Sequence, residues 1–283
     1  MANDGPNHAQ IEYWNGPRGD FWVKEQELRD HELAFFGESL LRAAAVMPGE
    51  SIVDVGCGCG TTSLAIAASV GPEGAVVGVD VSKQMLARAA ERARGLPQAR
   101  FELADAASYP FDGSAHLVLS RFGVMFFDDP RAAFANLRRA LRPKGRLVLV
   151  CWRSLAENAW MNVVFEAVRP IVSSARPTPP PEAPGPLAFA DEARVRSILE
   201  GAGFVEVSFD PLDHPMPLGG NHGLDAAAAD ALTLGPTSRL LVDATEEERR
   251  EALSAAKVAL LPYAKGEVVE LAGAAWLVRA RVA

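Results

Sequence analysis

The residues best placed to do chemistry lie in Ser51-Ile-Val-Asp-Val-Gly-Cys-Gly-Cys-Gly-Thr-Thr, residues 51–62. An apolar run meets Asp54 and then glycine at every second position, Gly56, Gly58 and Gly60. Without a Cβ the backbone can take positive φ there and let a ligand lie against main-chain N–H groups. A helix predicted to start directly behind adds the free N–H groups of its first turn, which favour anionic or electron-rich ligand atoms. The dinucleotide pattern G-x-G-x-x-G/A fails in both registers, because Thr61 or Ser63 falls where the third small residue belongs. No Gly-Lys-Ser/Thr follows, so the loop is not a Walker loop either. Farther along, Asp80 and Asp105 each close an apolar run, and Asp80 is spaced from Gly60 as an acidic residue that accepts hydrogen bonds from ribose hydroxyls.

These residues need a sheet edge to gather them. Residues 1–10 are polar and expected to fray. From Asp20 to Val46, Phe21, Leu28, Leu33, Phe35, Phe36, Leu40 and Leu41 recur at three- and four-residue steps, predicting two short helices that stop at Pro48-Gly49. Strands and helices then alternate. The first strand feeds the glycine loop and a helix over 61–70, and the second, residues 75–80, is almost continuously apolar, as a strand covered on both faces should be. Ser82 caps the next helix, a third strand over 101–104 delivers Asp105-Ala106, and a fourth spans 115–120. A helix bearing Phe134, Leu137 and Leu141 breaks at Pro143-Lys144-Gly145 before a fifth strand over 146–152. This alternation predicts a right-handed doubly wound parallel sheet with ligands at the carboxyl ends of its strands.

The pattern changes after 152. A helix is expected within 153–170, and six prolines within 176–186 suggest an extended linker or lid. A helix capped at Asp191 and a sixth strand over 204–209 follow, and then residues 211–264 read as an Ala-rich, mostly helical insertion too long for an ordinary connection. The period of two in Trp276, Val278, Ala280 and Val282 suits an antiparallel final strand.

The 283 residues carry a net charge of −8, which argues against nucleic acid as a partner. The basic group Arg138, Arg139, Arg142, Lys144 and Arg146 reads as a solvated helix end. Cys57, Cys59 and Cys151 lack the C-x-x-C metal spacing, so no metal is expected and the thiols read as reduced packing residues. With no leader-like segment and no apolar run of bilayer length, a soluble cytoplasmic protein without membrane partners is expected.

The acidic-x-Gly-x-Gly-x-Gly loop of Asp54, Gly56, Gly58 and Gly60, with carboxylates ending the next two strands, resembles that of class I S-adenosylmethionine-dependent methyltransferases. More narrowly, the chain resembles the ubiquinone/menaquinone-biosynthesis type (methyltransferase type 11 group), strongly over 49–152 and weakly in the sixth and seventh strands. The resemblance implies an α/β fold with a Rossmann-like, doubly wound, mostly parallel seven-stranded sheet, an antiparallel last strand and helical cap or lid insertions. Its layout would be an N-terminal helical cap (1–48), a cofactor-binding core (49–152), a Pro-rich lid or linker (153–190), a core helix and strand (191–210), a helical lid insertion (211–264) and the last core strand (265–283).

It also implies roles. Gly56, Gly58, Cys59 and Gly60 would hold the methionine part of S-adenosylmethionine, with Asp54 steering its ammonium and Ser120 completing that pocket. Asp80 would bind the ribose, Val81 and Met85 the adenine face, and Asp105 and Ala106 the adenine edge. Phe122 and Met125 would face the sulfonium and the substrate, while Tyr13, Trp14 and Trp22 are candidates to line the substrate side. Ser120-Arg121-Phe122-Gly123 stands where methyltransferases of base amines or glutamine amides carry Asn/Asp-Pro-Pro-aromatic, which points to a small-molecule acceptor. The expected reaction is in-line methyl transfer that releases S-adenosylhomocysteine. Alternatives are an S-adenosylmethionine-binding enzyme of non-transfer, cyclase-like chemistry, a non-catalytic binding protein, or a dehydrogenase. His31, His116, His214 and His222 are the candidate general bases by residue type, and none is assigned. Acceptor, methylated atom and oligomeric state, monomer or homodimer, stay open.

Overall fold

The structure, a computed structural model, describes residues 6–173 and 179–283. Of the expected frayed stretch over 1–10, residues 1–5 lie outside the described residues, as does the part of the proline-rich run over 176–178, and residues 8–10 are not frayed but form the first turn of a helix, with the Asn7 carbonyl accepting from the Ile11 N–H (2.9 Å).

Four helices precede the sheet where the sequence predicts two: α1 (His8–Asn15), α2 (Pro17–Lys24), α3 (Gln26–Glu32) and α4 (Ala34–Ala44). The apolar pattern misses α1 because none of its side chains is buried. It is held by hydrogen bonds instead. By contrast, α4 sends Phe36 and Leu40 fully into the core.

The central strands and their helices follow in chain order: β1 (Ser51–Val55), α5 (Thr61–Val70), β2 (Ala75–Asp80), α6 (Lys83–Arg92), β3 (Ala99–Leu103), β4 (Ala115–Arg121), α7 (Pro130–Ala140) and β5 (Leu141–Trp152). The chain then runs through α8 (Ala159–Val168), α9 (Glu192–Gly201), β6 (Phe204–Pro217), α10 (Gly223–Ala231), α11 (Gly235–Leu240), α12 (Glu246–Leu260), a short β7 (Ala264–Lys265) and β8 (Val268–Val282). The main sheet has the order β3-β2-β1-β4-β5-β8-β6, with β7 paired only to β8. β1 to β5 are parallel, and β8 runs antiparallel between β5 and β6. The expected mostly parallel sheet with an antiparallel last strand is therefore what the chain builds. Ile52, Leu117, Leu119, Leu147 and Leu149 are fully buried because helices cover both faces of the parallel half.

β5 and β6 run five or more residues beyond their predicted bounds. β6 continues to Pro217, so the first residues of the expected helical insertion are strand, although Pro211, Pro215 and Pro217 lie in it. β6 is an edge strand, so one side has no ladder to which a proline N–H would be owed. β5 likewise starts at Leu141, and the expected break at 143–145 is absorbed as a register shift against β4 with Lys144 at φ 63°. The described part of the proline-rich run packs on the body: the Gly185 N–H donates to Met125 O (3.0 Å), and Arg239 donates to Pro184 O (3.1 Å). No helix of the described residues is long and apolar enough to cross a membrane.

Candidate functional site

The parallel order places the carboxyl ends of β1, β2, β3 and β4 along one edge, where the sequence puts its carboxylates and glycines. Beyond β1 the chain turns with Gly56 at φ 66°. A Cβ at Gly56 would lie 2.7 Å from the Cα of Gly123, in the turn after β4. The two turns touch backbone to backbone. Ser120 fastens them, its Oγ donating to Val55 O (2.7 Å) and accepting from the Gly123 N–H (3.1 Å).

Asp54 is buried and accepts from Ser63 Oγ at 2.6 Å, and burial pushes its carboxyl up to about 7. Asp80 accepts from the Gly58 N–H (2.8 Å) through one oxygen and from the Ser82 N–H (2.9 Å) through the other, so it shapes the glycine loop as well as facing the cavity. Burial raises its carboxyl too, against the pull of those N–H groups. Asp105 accepts from the Ala107 N–H (2.9 Å) and from Asn7 Nδ2 (2.8 Å).

One cavity is lined by Asp54, Gly56, Gly58, Cys59, Asp80, Val81, Met85, Asp105 and Ala106, and also by Tyr13, Trp14, Trp22, Phe122 and Met125. Gly60 and Ser120 lie behind its wall. Gly60 turns the loop into α5 against Ala89 and Phe101, and Ser120 is the fastening between turns.

The helices α1 and α2 cover the β2 and β3 end. The Asn7 N–H donates to Asp128 (2.9 Å), its Nδ2 donates to Asp105, and its Oδ1 accepts from the Asp128 N–H (2.7 Å). Asn15 donates to Val81 O (2.7 Å) and accepts from the Lys83 N–H (3.0 Å), while Ser82 Oγ donates to Trp14 O (2.8 Å).

On the other side the cavity widens into an apolar chamber. Phe122 takes a left-handed backbone (φ 62°), a costly conformation for an aromatic residue, and stacks on Trp152 with ring centres 4.0 Å apart. Trp160, Met161, Met216 and Leu234 continue the wall. Charge enters from α3: Arg29 pairs with Glu32 (2.8 Å) and with Asp230 of α10 (2.5 Å), all but sealed from solvent. Asp30 takes hydrogen bonds from Thr61 (2.6 Å) and Arg92 (3.1 Å), and Arg92 also donates to Cys59 O (2.7 Å), tying α3 to the glycine loop.

Sequence reasoning missed Arg29, Glu32 and Asn7. Charged residues on a polar helix resemble a solvated face, and Asp230 lies 201 positions from Arg29. None of the four candidate histidines lines the cavity. His116 accepts from the Ser51 N–H (3.1 Å), His214 stacks on Phe35 (3.9 Å) in a separate groove, and His31 is exposed. The loop thiols are poor nucleophiles: burial raises Cys57 and pushes Cys59 up to about 11.

A doubly wound sheet with a glycine turn after β1 and carboxylates at the ends of β2 and β3 defines a Rossmann-like, nucleoside-binding class. Residues 52–145 match the Methyltransferase domain family. Nocamycin O-methyltransferase of Saccharothrix syringae is 34% identical over 221 residues, 74% of this chain and 76% of that protein. Demethylmenaquinone methyltransferase of Clavibacter sepedonicus is also 34% identical, over 59% of this chain and 70% of its own length. The chain belongs to the S-adenosylmethionine-dependent methyltransferase family. Among solved structures, the YcgJ protein of Bacillus subtilis shares the fold with a TM-score of 0.55 at 19% identity, covering 89% of this chain and 98% of that one. Against another curated relative, a 37.1 kDa protein in transposon TN4556 of Streptomyces fradiae, the match spans 32% of that protein.

Proposed function

We propose that the chain moves a methyl group from S-adenosylmethionine to a small, largely apolar acceptor held in the tryptophan-walled chamber. The observation that carries this reading is one continuous cavity, running from Asp80 and Asp105 past the glycine turn to Phe122, Trp152 and Trp160.

The residues present suit the donor. Asp80 and Asp105 offer acceptors for ribose hydroxyls and the adenine edge, and Val81 and Met85 offer apolar surface to the ring. Gly56 and Gly58 present bare backbone to the cavity and leave room for the methionine part. Bound there, S-adenosylmethionine supplies a methyl group on a cationic sulfur, already activated as an electrophile. The protein's share is then proximity, alignment and exclusion of water, worth on the order of 7 to 11 kcal/mol for well-oriented partners. The covering helices α1 and α2, and the Phe122–Trp152 stack at the junction of the two halves, serve the last two tasks. The named O-methyltransferase relative supports oxygen as the methylated atom.

Calorimetric titration with S-adenosylmethionine tests the donor half. The wild-type chain should bind it, and Asp80→Ala should weaken binding by about 1 to 3 kcal/mol, through lost hydrogen bonds and a slackened loop. Equal affinity in the two proteins removes Asp80 from the site. Release of S-adenosylhomocysteine with an added acceptor separates transfer from cyclase-like chemistry and from mere binding.

A further inference from the structure

Eight buried side-chain nitrogen and oxygen atoms lack a hydrogen-bond partner among the described residues, and six of them belong to Gln10, Arg18, Trp22, Arg29 and Glu32; one of the six, Arg29 Nη1, is ion-paired with Glu32 Oε2 at 2.8 Å, which leaves five with neither a hydrogen bond nor an ion pair. All five residues line the cavity, and all come from α1 to α3. A buried polar atom left unpaired is costly and uncommon, so this concentration marks where a ligand's polar groups belong. The set holds donors in Arg18, Trp22 and Arg29, and acceptors in Gln10 Oε1 and Glu32 Oε1. Glu32 is the one carboxylate among them. It is 3% exposed, its Oε2 faces Arg29, and its Oε1 meets no donor in good hydrogen-bonding geometry, although the Gly219 N–H and the Asp230 carboxyl bear on the same carboxyl group.

We propose that Glu32 takes the proton from a hydroxyl of the methyl acceptor, and that the acceptor is an apolar phenol or enol whose oxygen is held by Glu32 and the neighbouring guanidinium groups. The proposal rests on the methyltransferase reading above and adds to it the acceptor class and the base. In the step, the acceptor's O–H bond breaks and its proton passes to Glu32 Oε1. The oxygen lone pair forms the new O–CH3 bond, and the electrons of the broken C–S bond stay on sulfur, leaving neutral S-adenosylhomocysteine and, once Glu32 returns its proton to solvent, one released proton.

The surroundings fit that task. The groups facing Glu32 are Arg29 on its own helix, Asp230 from α10 and the Gly219 N–H from the turn before α10, with Arg18 of α2 close to both Arg29 and Asp230. Burial first, and the Asp230 carboxylate second, raise the Glu32 carboxyl well above the ordinary carboxylate range. That makes it a stronger base once ionised, in the range that matches phenols and enols and not simple alcohols. Arg29 and Arg18 stand ready to hold the developing oxyanion, and no described carboxylate forms a salt bridge with Arg18.

The test uses the full chain with S-adenosylmethionine and a panel of 4-alkylphenols and cyclic 1,3-diketones, set against alkylamines and alkanethiols of equal size. Expected are S-adenosylhomocysteine release with the hydroxyl acceptors and at least 100-fold slower release with the others. Glu32→Gln, first checked for unchanged thermal unfolding and S-adenosylmethionine affinity, should lower kcat 10²- to 10⁴-fold with KM within about threefold. It should also abolish the rise of kcat with pH, and Glu32→Asp should restore part of the rate. Independently of turnover, infrared difference spectra of the S-adenosylhomocysteine complex, at a pH where Glu32 is ionised, should gain a protonated-carboxyl band when a 4-alkylphenol binds. That band should be missing in Glu32→Gln. Amines or thiols methylated as fast as phenols, or an unchanged kcat and pH profile in Glu32→Gln, overturns the proposal while leaving the methyltransferase reading intact. Failure of the wild-type chain to bind S-adenosylmethionine overturns both.

Discussion

The contact of Gly56 with Gly123 joins the turn after β1 to the turn after β4 with no side chain between them. Gly56→Ala would push a methyl group against backbone that cannot rotate away, at a φ of 66° that L-residues avoid. The expected cost is about 2 to 4 kcal/mol, read from urea denaturation, with weaker S-adenosylmethionine binding. A stability within about 0.5 kcal/mol of wild type shows that the turns separate easily. These glycines, and the carboxylates at 54, 80 and 105, were readable from sequence because a backbone that must approach closely demands Gly, and a charge at the end of an apolar run stands out. Glu32 was not readable. Its meaning comes from an unpartnered oxygen, from Arg29 one turn away and from Asp230 in a distant helix, and no local pattern encodes such a meeting.

At the scale of elements, α1 stays in place without burying a side chain of its own. Its position depends on Asn7 and Asn15, which fasten it to the ends of β2 and β3 and to the turn before α7. Asn7→Ala removes the side-chain bonds to Asp105 and to the Asp128 N–H. It should lower the local opening free energy by about 1 to 3 kcal/mol, seen as faster amide exchange in α1 with exchange in α7 unchanged. Equal exchange rates in α1 would place its anchorage elsewhere. The βα core was readable because buried parallel strands are continuous apolar runs, whereas α1 to α3 carry no apolar stripe long enough to find. The extension of β6 past 209 is not legible locally, since Pro211, Pro215 and Pro217 are unusual strand residues and only the edge position of β6 makes them acceptable.

Over the whole molecule, three cavity carboxyls hold protons more tightly than unfolded carboxyls, which titrate near pH 4. Between that pH and their folded values these three groups bind more protons in the native chain than in the unfolded one, so their share of the stability falls as pH rises. For Asp54 the contribution is complete below about pH 4 and disappears as pH climbs through about 7, a loss on the order of 4 kcal/mol. Urea denaturation at pH 5 and pH 8 should show the wild type losing more stability than Asp54→Asn, which keeps an acceptor for Ser63 but cannot titrate. Parallel losses in the two proteins would locate the effect in other groups.

β8 lies between β5 and β6, yet it is translated after both. While the chain is being made, β6 leaves the ribosome about fifty residues ahead of its sole neighbour and waits with both edges open. Meanwhile α11, whose Gly235, Ser238 and Arg239 line the cavity, hangs from a segment that is tied to the sheet at one end only. The nascent chain therefore completes the parallel half of the sheet, which carries the glycine turn and the carboxylates, before the antiparallel half, and β6 stays an open edge until β8 arrives.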